Sequence, residues 1–314
     1  MARYLVTGGA GFIGSNLVEA LLERGDEVRV VDDFSTGRRS NIENIESSLT
    51  LFEGNICDEE LLRDAFDTVD YCLHLAAIPS VPRSVEDPVS SNTANIDGTL
   101  KVFVAARDAG AKRVVCASSS AVYGNTETVP SHEALPAAPI SPYGVTKAAG
   151  EMYAAVCSDL YDIDIVCLRY FNVFGPRQDP ESPYAAVIPL FVRSMLAGRR
   201  PTVDGDGKQS RDFSHVDNVI HANLLACAAE RPIAGTYNIA CGASASILDL
   251  VSMLNDILGT RIEPDFRDAR PGDIRKSWAD ISRAGEAFGY APTVSLEDGL
   301  ERVVDWYRNE AGTV

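Results

Sequence analysis

Lysine is scarce in this chain: 5 of 314 residues, against 23 arginines and 45 acidic residues, leaving a net charge of −17 at pH 7. That acidic surplus repels nucleic-acid backbones and anionic membrane surfaces, so neither is an expected partner. Long hydrophobic runs are missing as well. The apolar stretches have strand length, and none reaches the roughly 18 residues needed to span a bilayer. No apolar segment with a small-residue cleavage site precedes Arg3-Tyr4-Leu5-Val6-Thr7-Gly8, so mature cytoplasmic sequence is the expectation. The seven cysteines (Cys57, Cys72, Cys116, Cys157, Cys167, Cys227, Cys241) form no C-x-x-C pair. Their odd number and scatter predict buried free thiols, with neither disulfides nor a metal site. Repeats and low-complexity tracts are absent. The arginine bias fits the codon usage of a GC-rich genome first and a saline cytoplasm second.

The composition that remains, 46 % apolar and 23 % charged, is that of a globular protein. The length suits one large domain or two intimate ones. Short apolar runs at Tyr4–Val6, Val28–Val31, Leu49–Phe52, Tyr71–Leu75, Arg113–Ala117 and Ile163–Leu168 read as strands. Helical patterns lie between most of them, notably Gly98 to Ala109 and Tyr143 to Leu160. This alternation predicts an α/β fold with a doubly wound parallel sheet of Rossmann type, covered on both faces. After Asn172 prolines punctuate the chain and the alternation loosens. The expected division is a sheet domain over 1–173 and a smaller C-terminal domain over 174–314. A segment near 208–241 is expected to return a strand, at Tyr237–Ile239, to the first sheet.

Thr7-Gly8-Gly9-Ala10-Gly11-Phe12-Ile13-Gly14 fits G-x-x-G-x-x-G between the first strand and the first helix. Glycines there allow a tight turn and close approach of a pyrophosphate, which the helix N-terminus then faces with free N–H groups. The second strand ends in Asp32, where a carboxylate accepts from a free ribose 2′-hydroxyl and repels a 2′-phosphate. NAD is therefore the expected cofactor, and nearby Arg38 and Arg39 are the feature that keeps NADP as an alternative.

Tyr143-Gly144-Val145-Thr146-Lys147 places a phenol and an ammonium one helical turn apart on the same face. A neighbouring cation favours phenolate and makes the phenol a usable base. Ala117-Ser118-Ser119-Ser120-Ala121-Val122-Tyr123-Gly124 lies just upstream, at the end of the fifth strand. Doubly wound sheets hold their ligands at such carboxyl ends. A hydroxyl there can bond the substrate oxygen whose proton Tyr143 takes.

With these residues in view, the chain resembles the extended short-chain dehydrogenase/reductases, the sugar-nucleotide epimerase/dehydratase superfamily. It is most similar to the UDP-glucose/UDP-N-acetylglucosamine 4-epimerases. The likeness runs from Arg3 to about Tyr307 and rests further on His74-Leu75-Ala76-Ala77, Arg169-Tyr170-Phe171-Asn172-Val173-Phe174-Gly175, Arg211-Asp212-Phe213 and Arg270-Pro271-Gly272-Asp273. The resemblance implies that Tyr143, Lys147 and Ser119 are catalytic. It assigns the cofactor to Gly8, Gly11, Phe12, Ile13, Gly14, Asp32, Asn55, Ile56, Leu75, Ala76, Ala77, Asn95 and Tyr170, together with Tyr143 and Lys147. It assigns the UDP-sugar to Ser80, Ser118, Ser120, Asn172, Ala186, Val187, Arg211, Arg270, Asp273 and Ser277. A homodimer is implied, with the helix after Asn95 and the helix of Tyr143 as candidate faces.

Within the superfamily, 4,6-dehydratases need an acid and a base where this chain has Ser119, Ser120 and Ala121, so elimination lacks its carboxylates. UDP-glucuronate 4-epimerases share a Ser/Thr-rich loop and are the first alternative reading, ahead of another nucleotide-sugar epimerase/dehydratase or a non-catalytic NAD-binding protein. Ser277 and Ala186 are small where glucose-restricted relatives carry bulkier residues, and Ser80-Val81-Pro82-Arg83-Ser84 resembles the loop of N-acetylhexosamine-active relatives. Acetylated hexoses are therefore expected beside plain ones. One departure weakens the uridine side: Asp204 stands where relatives carry an aromatic residue near the base.

Overall fold

The computed structural model describes residues 1–179, 186–269 and 275–311. Strands β1 (Arg3–Thr7), β2 (Glu27–Asp32), β3 (Thr50–Glu53), β4 (Tyr71–His74), β5 (Arg113–Ser119) and β6 (Asp164–Tyr170) supply six strands of the main sheet. Helices α1 (Phe12–Glu23), α2 (Glu59–Ala65), α3 (Val81–Glu86), α4 (Pro88–Asn92), α5 (Gly98–Asp108) and α6 (Pro142–Tyr161) alternate with them. A π-helical turn at Thr93–Asp97 joins α4 to α5.

The chain continues through β7 (Val173–Phe174), α7 (Val187–Leu196), β8 (Thr202–Asp204), β9 (Ser210–Arg211), β10 (Ser214–His215) and α8 (Val216–Ala228). Strand β11 (Gly235–Ile239) then joins the main sheet in parallel beside β6. Beyond it lie β12 (Ala245–Ser246), α9 (Ile247–Leu258), β13 (Asp265–Arg267), β14 (Lys276–Ser277), α10 (Ser282–Phe288) and α11 (Leu296–Ala311).

The seven parallel strands run in the order β3-β2-β1-β4-β5-β6-β11. The winding reverses between β1 and β4, and open α/β sheets hold ligands in the crevice at such a switch point. Alternate strand residues serve opposite faces. Tyr4, Val6 and Val115 join the core under α1 and α8, whereas Leu5, Val114 and Cys116 join the core under α2, α5 and α6. Burial on both faces is what makes these strands read as continuous apolar runs. Phe66 and Phe103 are fully buried in the second core, where truncation to alanine costs about 3–5 kcal/mol. A separate core of Phe191, Val192, Leu250, Leu254, Leu300 and Val304 holds α7, α9 and α11 together.

Helix α6 begins where Ser141 accepts the Gly144 N–H (3.1 Å) and Pro142 takes the first position. It ends at Asp162, which has left-handed geometry. Its twenty residues carry Tyr143 and Lys147 across the carboxyl ends of β5 and β6. All seven cysteines are free thiols, five of them buried. Among the described residues no helix is long and apolar enough to cross a membrane, and no His/Cys/Asp/Glu cluster could hold a metal.

Candidate active site

A cavity of about 1140 Å³ opens over the switch point. One wall is the glycine turn: Gly8, Gly11, Phe12, Ile13 and Gly14 all line it. Gly8 has φ +71°, and a Cβ on it would stand 2.7 Å from the Ala76 nitrogen. A Cβ on Gly14 would stand 2.0 Å from the Gly8 carbonyl oxygen. These positions require glycine because backbone meets backbone there. No side chain caps the start of α1, which leaves its first N–H groups available to an anionic ligand.

Asp32 ends β2 and lines the same cavity. Its Oδ2 accepts the Ala10 N–H (2.8 Å) and its Oδ1 the Phe34 N–H (2.8 Å). Each oxygen keeps lone-pair capacity for a ribose hydroxyl. Burial raises the pKa of this carboxyl against those two hydrogen bonds. Arg38 is ion-paired to Asp179 (2.5 Å), and Arg39 is bonded to Glu46 and Glu53 while stacking on Phe34. Both arginines that kept NADP open are thus spent on carboxylates. Asn55 donates to Asp33 (2.7 Å) and, like Ile56, Leu75, Ala76, Ala77 and Ser80, lines the cavity. The backbone-built cradle and the buried Asp32 fit a dinucleotide with an unphosphorylated ribose.

At the other end Tyr143 and Lys147 line the cavity together. The Lys147 ammonium lies 5.8 Å from the Tyr143 ring centroid and donates to the Ala117 carbonyl (2.8 Å). Tyr143 is fixed through its backbone, which donates to Ser84 (3.0 Å). Tyr170 lines the cavity while its hydroxyl is shared with Asn223.

Several expected contacts are placed differently. Ser118 lines the cavity, yet its hydroxyl donates to Glu151 (2.5 Å). The Ser119 hydroxyl accepts the Ala121 N–H (3.2 Å) where β5 ends opposite Tyr170, and neither Ser119 nor Ser120 lines the cavity. Asn95 sits buried in the π-turn. Its amide accepts from the Ile78 N–H (2.7 Å) and donates to the Ile78 carbonyl (3.2 Å) and the Thr146 hydroxyl (3.1 Å). It ties the loop after β4 to α6 rather than lining the cavity.

A second cavity of about 290 Å³ adjoins the first, sharing Asn172 and Ala186. Val187, Arg211, Asp204 and Gln209 line it, and Gln209 donates to the Asp204 carbonyl (2.7 Å). Ser277 lies in β14 directly opposite Arg211 of β9, outside both linings. Arg270 and Asp273 lie outside the described residues. Two charged groups went unassigned in the sequence reading. Arg169 of β6 forms a two-pronged ion pair with Glu151 of α6 (2.8 and 2.7 Å) directly behind Ser118. The available signal was spacing: Glu151 is one further four-residue step along the Tyr143–Lys147 face.

The glycine turn, Asp32 and the Tyr143–Lys147 pair are thus brought to one crevice. The NAD dependent epimerase/dehydratase family model matches residues 4–240. The chain belongs to this family. Within it, the chain is 40 % identical to a UDP-glucose 4-epimerase of Mycolicibacterium smegmatis, covering 98 % of this chain and 99 % of the relative. A UDP-N-acetylglucosamine 4-epimerase structure from Methanobrevibacter ruminantium, in complex with UDP-N-acetylmuramic acid, superposes with a TM-score of 0.94 at 40 % identity, covering 98 % and 99 % of the two chains. A UDP-glucuronic acid 4-epimerase from Bacillus cereus, solved with UDP-glucuronic acid and NAD, gives 0.88 at 37 % identity and the same coverage. NAD is accordingly the cofactor of this epimerase/dehydratase family member, and its fold is the family's Rossmann-type sheet.

Proposed function

We propose that the protein is an NAD-dependent UDP-hexose 4-epimerase, acting on UDP-glucose/UDP-galactose and on the corresponding N-acetylhexosamine pair. The observation that carries this reading is Tyr143 and Lys147 set on one cavity with the dinucleotide cradle, beside a β5 loop without a carboxylate. Bound NAD supplies the site that accepts hydride from sugar C4 and returns it. Tyr143 takes the 4-hydroxyl proton and later gives it back. Lys147, held to the Ala117 carbonyl, favours the phenolate through its charge. Ser119, which the resemblance sets on the 4-oxygen, stands just outside the cavity lining and accepts the Ala121 N–H, which leaves its O–H as the donor; Asn172, Arg211 and Arg270 hold the diphosphate and Asp273 the uridine ribose. Among the described residues the cavity-lining carboxylates are Asp32 at the end of β2, Asp33 just after it, and Asp179, which is paired to Arg38. None of them belongs to the loop that would serve an elimination across C5–C6.

The small Ala186, shared by both cavities, supports acceptance of a C2 acetamido group, and Ser277, beside Arg211 but outside both linings, enters this reading through the resemblance. Incubation with UDP-glucose, UDP-N-acetylglucosamine and UDP-glucuronate separately, with the C4 epimers resolved by chromatography, tests the reading. Conversion of the first two supports it. Conversion of the uronate alone overturns it in favour of the UDP-glucuronate 4-epimerase alternative.

We further infer a homodimer. Helix α6 leaves Val145, Met152, Val156 and Leu160 exposed, an apolar stripe that a second α6 with its α5 would cover. Sedimentation of Met152→Glu as a monomer beside a dimeric parent supports this assembly.

A further inference from the structure

We propose that the buried Glu151–Arg169 pair is a positioning device for Tyr143 and Lys147. Arg169 cancels the Glu151 charge, so that Lys147 stays on the Ala117 carbonyl instead of collapsing onto its helical neighbour. The proposal rests on the reading of Tyr143 as the base.

Tyr143, Lys147 and Glu151 follow at four-residue steps and share one face of α6. Lys147 and Glu151 reach adjacent residues of β5. The ammonium takes the Ala117 carbonyl and the carboxylate takes the Ser118 hydroxyl. Opposite charges so placed attract, and in a dry interior the attraction is strong. Arg169, entering from β6 in register with Ser118, occupies both carboxylate oxygens with Nε (2.8 Å) and Nη2 (2.7 Å). Its guanidinium is also held over the Tyr123 ring, 4.6 Å from the centroid. Their side chains are only 6 % and 10 % exposed.

An ion pair this deep repays little in stability, because desolvation offsets the Coulomb gain and apolar replacements of similar volume often do as well. Its siting one turn behind the catalytic lysine gives it another use. The remaining titratable groups around Glu151 are weak: the Cys116 and Cys167 thiols on β5 and β6, and Tyr123, whose hydroxyl donates to Asn238 of β11 (2.7 Å). Toward Lys147, His74 of β4 is fully buried between the Thr7 and Thr99 hydroxyls. Arg169 is therefore the group that balances Glu151 as seen from Tyr143.

The test is the pH–rate profile of epimerisation at saturating UDP-glucose for the holoenzyme, Glu151→Gln, Arg169→Gln and the double variant. Eight residues of helix separate Glu151 from Tyr143 by about 12 Å, so one unbalanced charge moves the acid limb by about one pH unit. Arg169→Gln leaves the negative charge, disfavours phenolate and moves the limb up. Glu151→Gln leaves the positive charge and moves it down. The double variant returns it to within about a third of a unit of the parent. A role in packing alone lowers the rate evenly and leaves every limb in place, which overturns the proposal. Should Arg169→Gln fail to fold, the downward shift in Glu151→Gln and its reversal in the double variant decide the matter. Tyr143→Phe in parallel separates the two readings. An undiminished rate there overturns the site reading, and with it this proposal. Limbs that stay fixed while activity depends on Tyr143 overturn the ion-pair role alone.

Discussion

Asp32 and Asp212 are both buried aspartates held by backbone N–H groups, one in each half of the molecule, and they do different work. Asp32 accepts from Ala10 and Phe34 and still faces the large cavity. Asp212 accepts from Cys241 (2.8 Å), Gly242 (3.0 Å) and Ala279 (3.3 Å), is wholly buried and lines neither cavity. In the N-terminal half the backbone of the glycine turn makes the cavity wall, and the Asp32 carboxylate still opens onto it. In the C-terminal half side chains must first close the scaffold, because its strands are two or three residues long. Asp212 gathers the loop after β11 and the stretch around Ala279, and its carbonyl accepts from Asn172 (3.0 Å), which both cavities share. The glycine turn is thus closed by backbone alone, whereas the walls of the smaller cavity are stitched together by polar side chains.

The sharpest way to separate chemistry from both halves is Tyr143→Phe. It removes the hydroxyl and leaves the helix, the Ser84 contact to the backbone and the cradle intact. We expect kcat to fall about 10²–10⁴-fold with NAD content and melting temperature unchanged. A matching loss of bound NAD would show that Tyr143 belongs to the cradle rather than to the chemistry.

Gly14→Ala should break the dinucleotide half alone. The added Cβ meets the Gly8 carbonyl at 2.0 Å, and neither backbone can yield without opening the turn. Overpacking of this kind costs about 1–3 kcal/mol or more. The expected result is protein that purifies without NAD and melts several degrees lower. Full NAD content after gel filtration would mean that the turn relaxes. Ser277→Tyr should break only the sugar side. Crowding of a C2 substituent is worth about 1–3 kcal/mol, so kcat/KM for the acetylated pair should drop about 10–200-fold while the plain hexoses hold. Equal loss for both sugar classes would remove the steric argument and make Ser277 a packing position beside Arg211.

The same contrast decides what the sequence made legible. Strands β1, β2, β4, β5 and β6 announce themselves because burial on two faces forces apolar runs, and the glycine turn because only glycine fits it. Strands β9, β10, β12 and β14 are two residues each and have no period to read. They exist because neighbours pair with them. The resemblance set Asn95 on the cofactor, but it lies off the cavity lining, and its use as a bridge between Ile78 and Thr146 depends on the π-turn, which spacing does not reveal. Glu151 was on the right face, yet its partner Arg169 comes from the next strand, and only the register of β5 with β6 joins them to Ser118. Contacts carried by local pattern were readable, and those carried by topology were not.

The smallest effect tests the stitching itself. Burial pushes the Asp212 carboxyl up to about 6, against hydrogen bonds from the Cys241, Ala279, Gly242 and Ala243 N–H groups that pull it down. A carboxyl whose pKa is higher folded than unfolded stabilises the fold fully below its unfolded pKa, near 4. That contribution is lost as pH rises through about 6. Asp212→Asn cannot titrate, and it places an amide against N–H donors, so it should melt below the parent throughout. The gap between the two should be widest at pH 4 and below, and narrow by a few degrees by pH 7. A gap that instead widens with pH would mean that the N–H groups outweigh burial and hold Asp212 as a carboxylate. The two aspartates would then share one electrostatic design, and the halves would differ only in whether a ligand completes it.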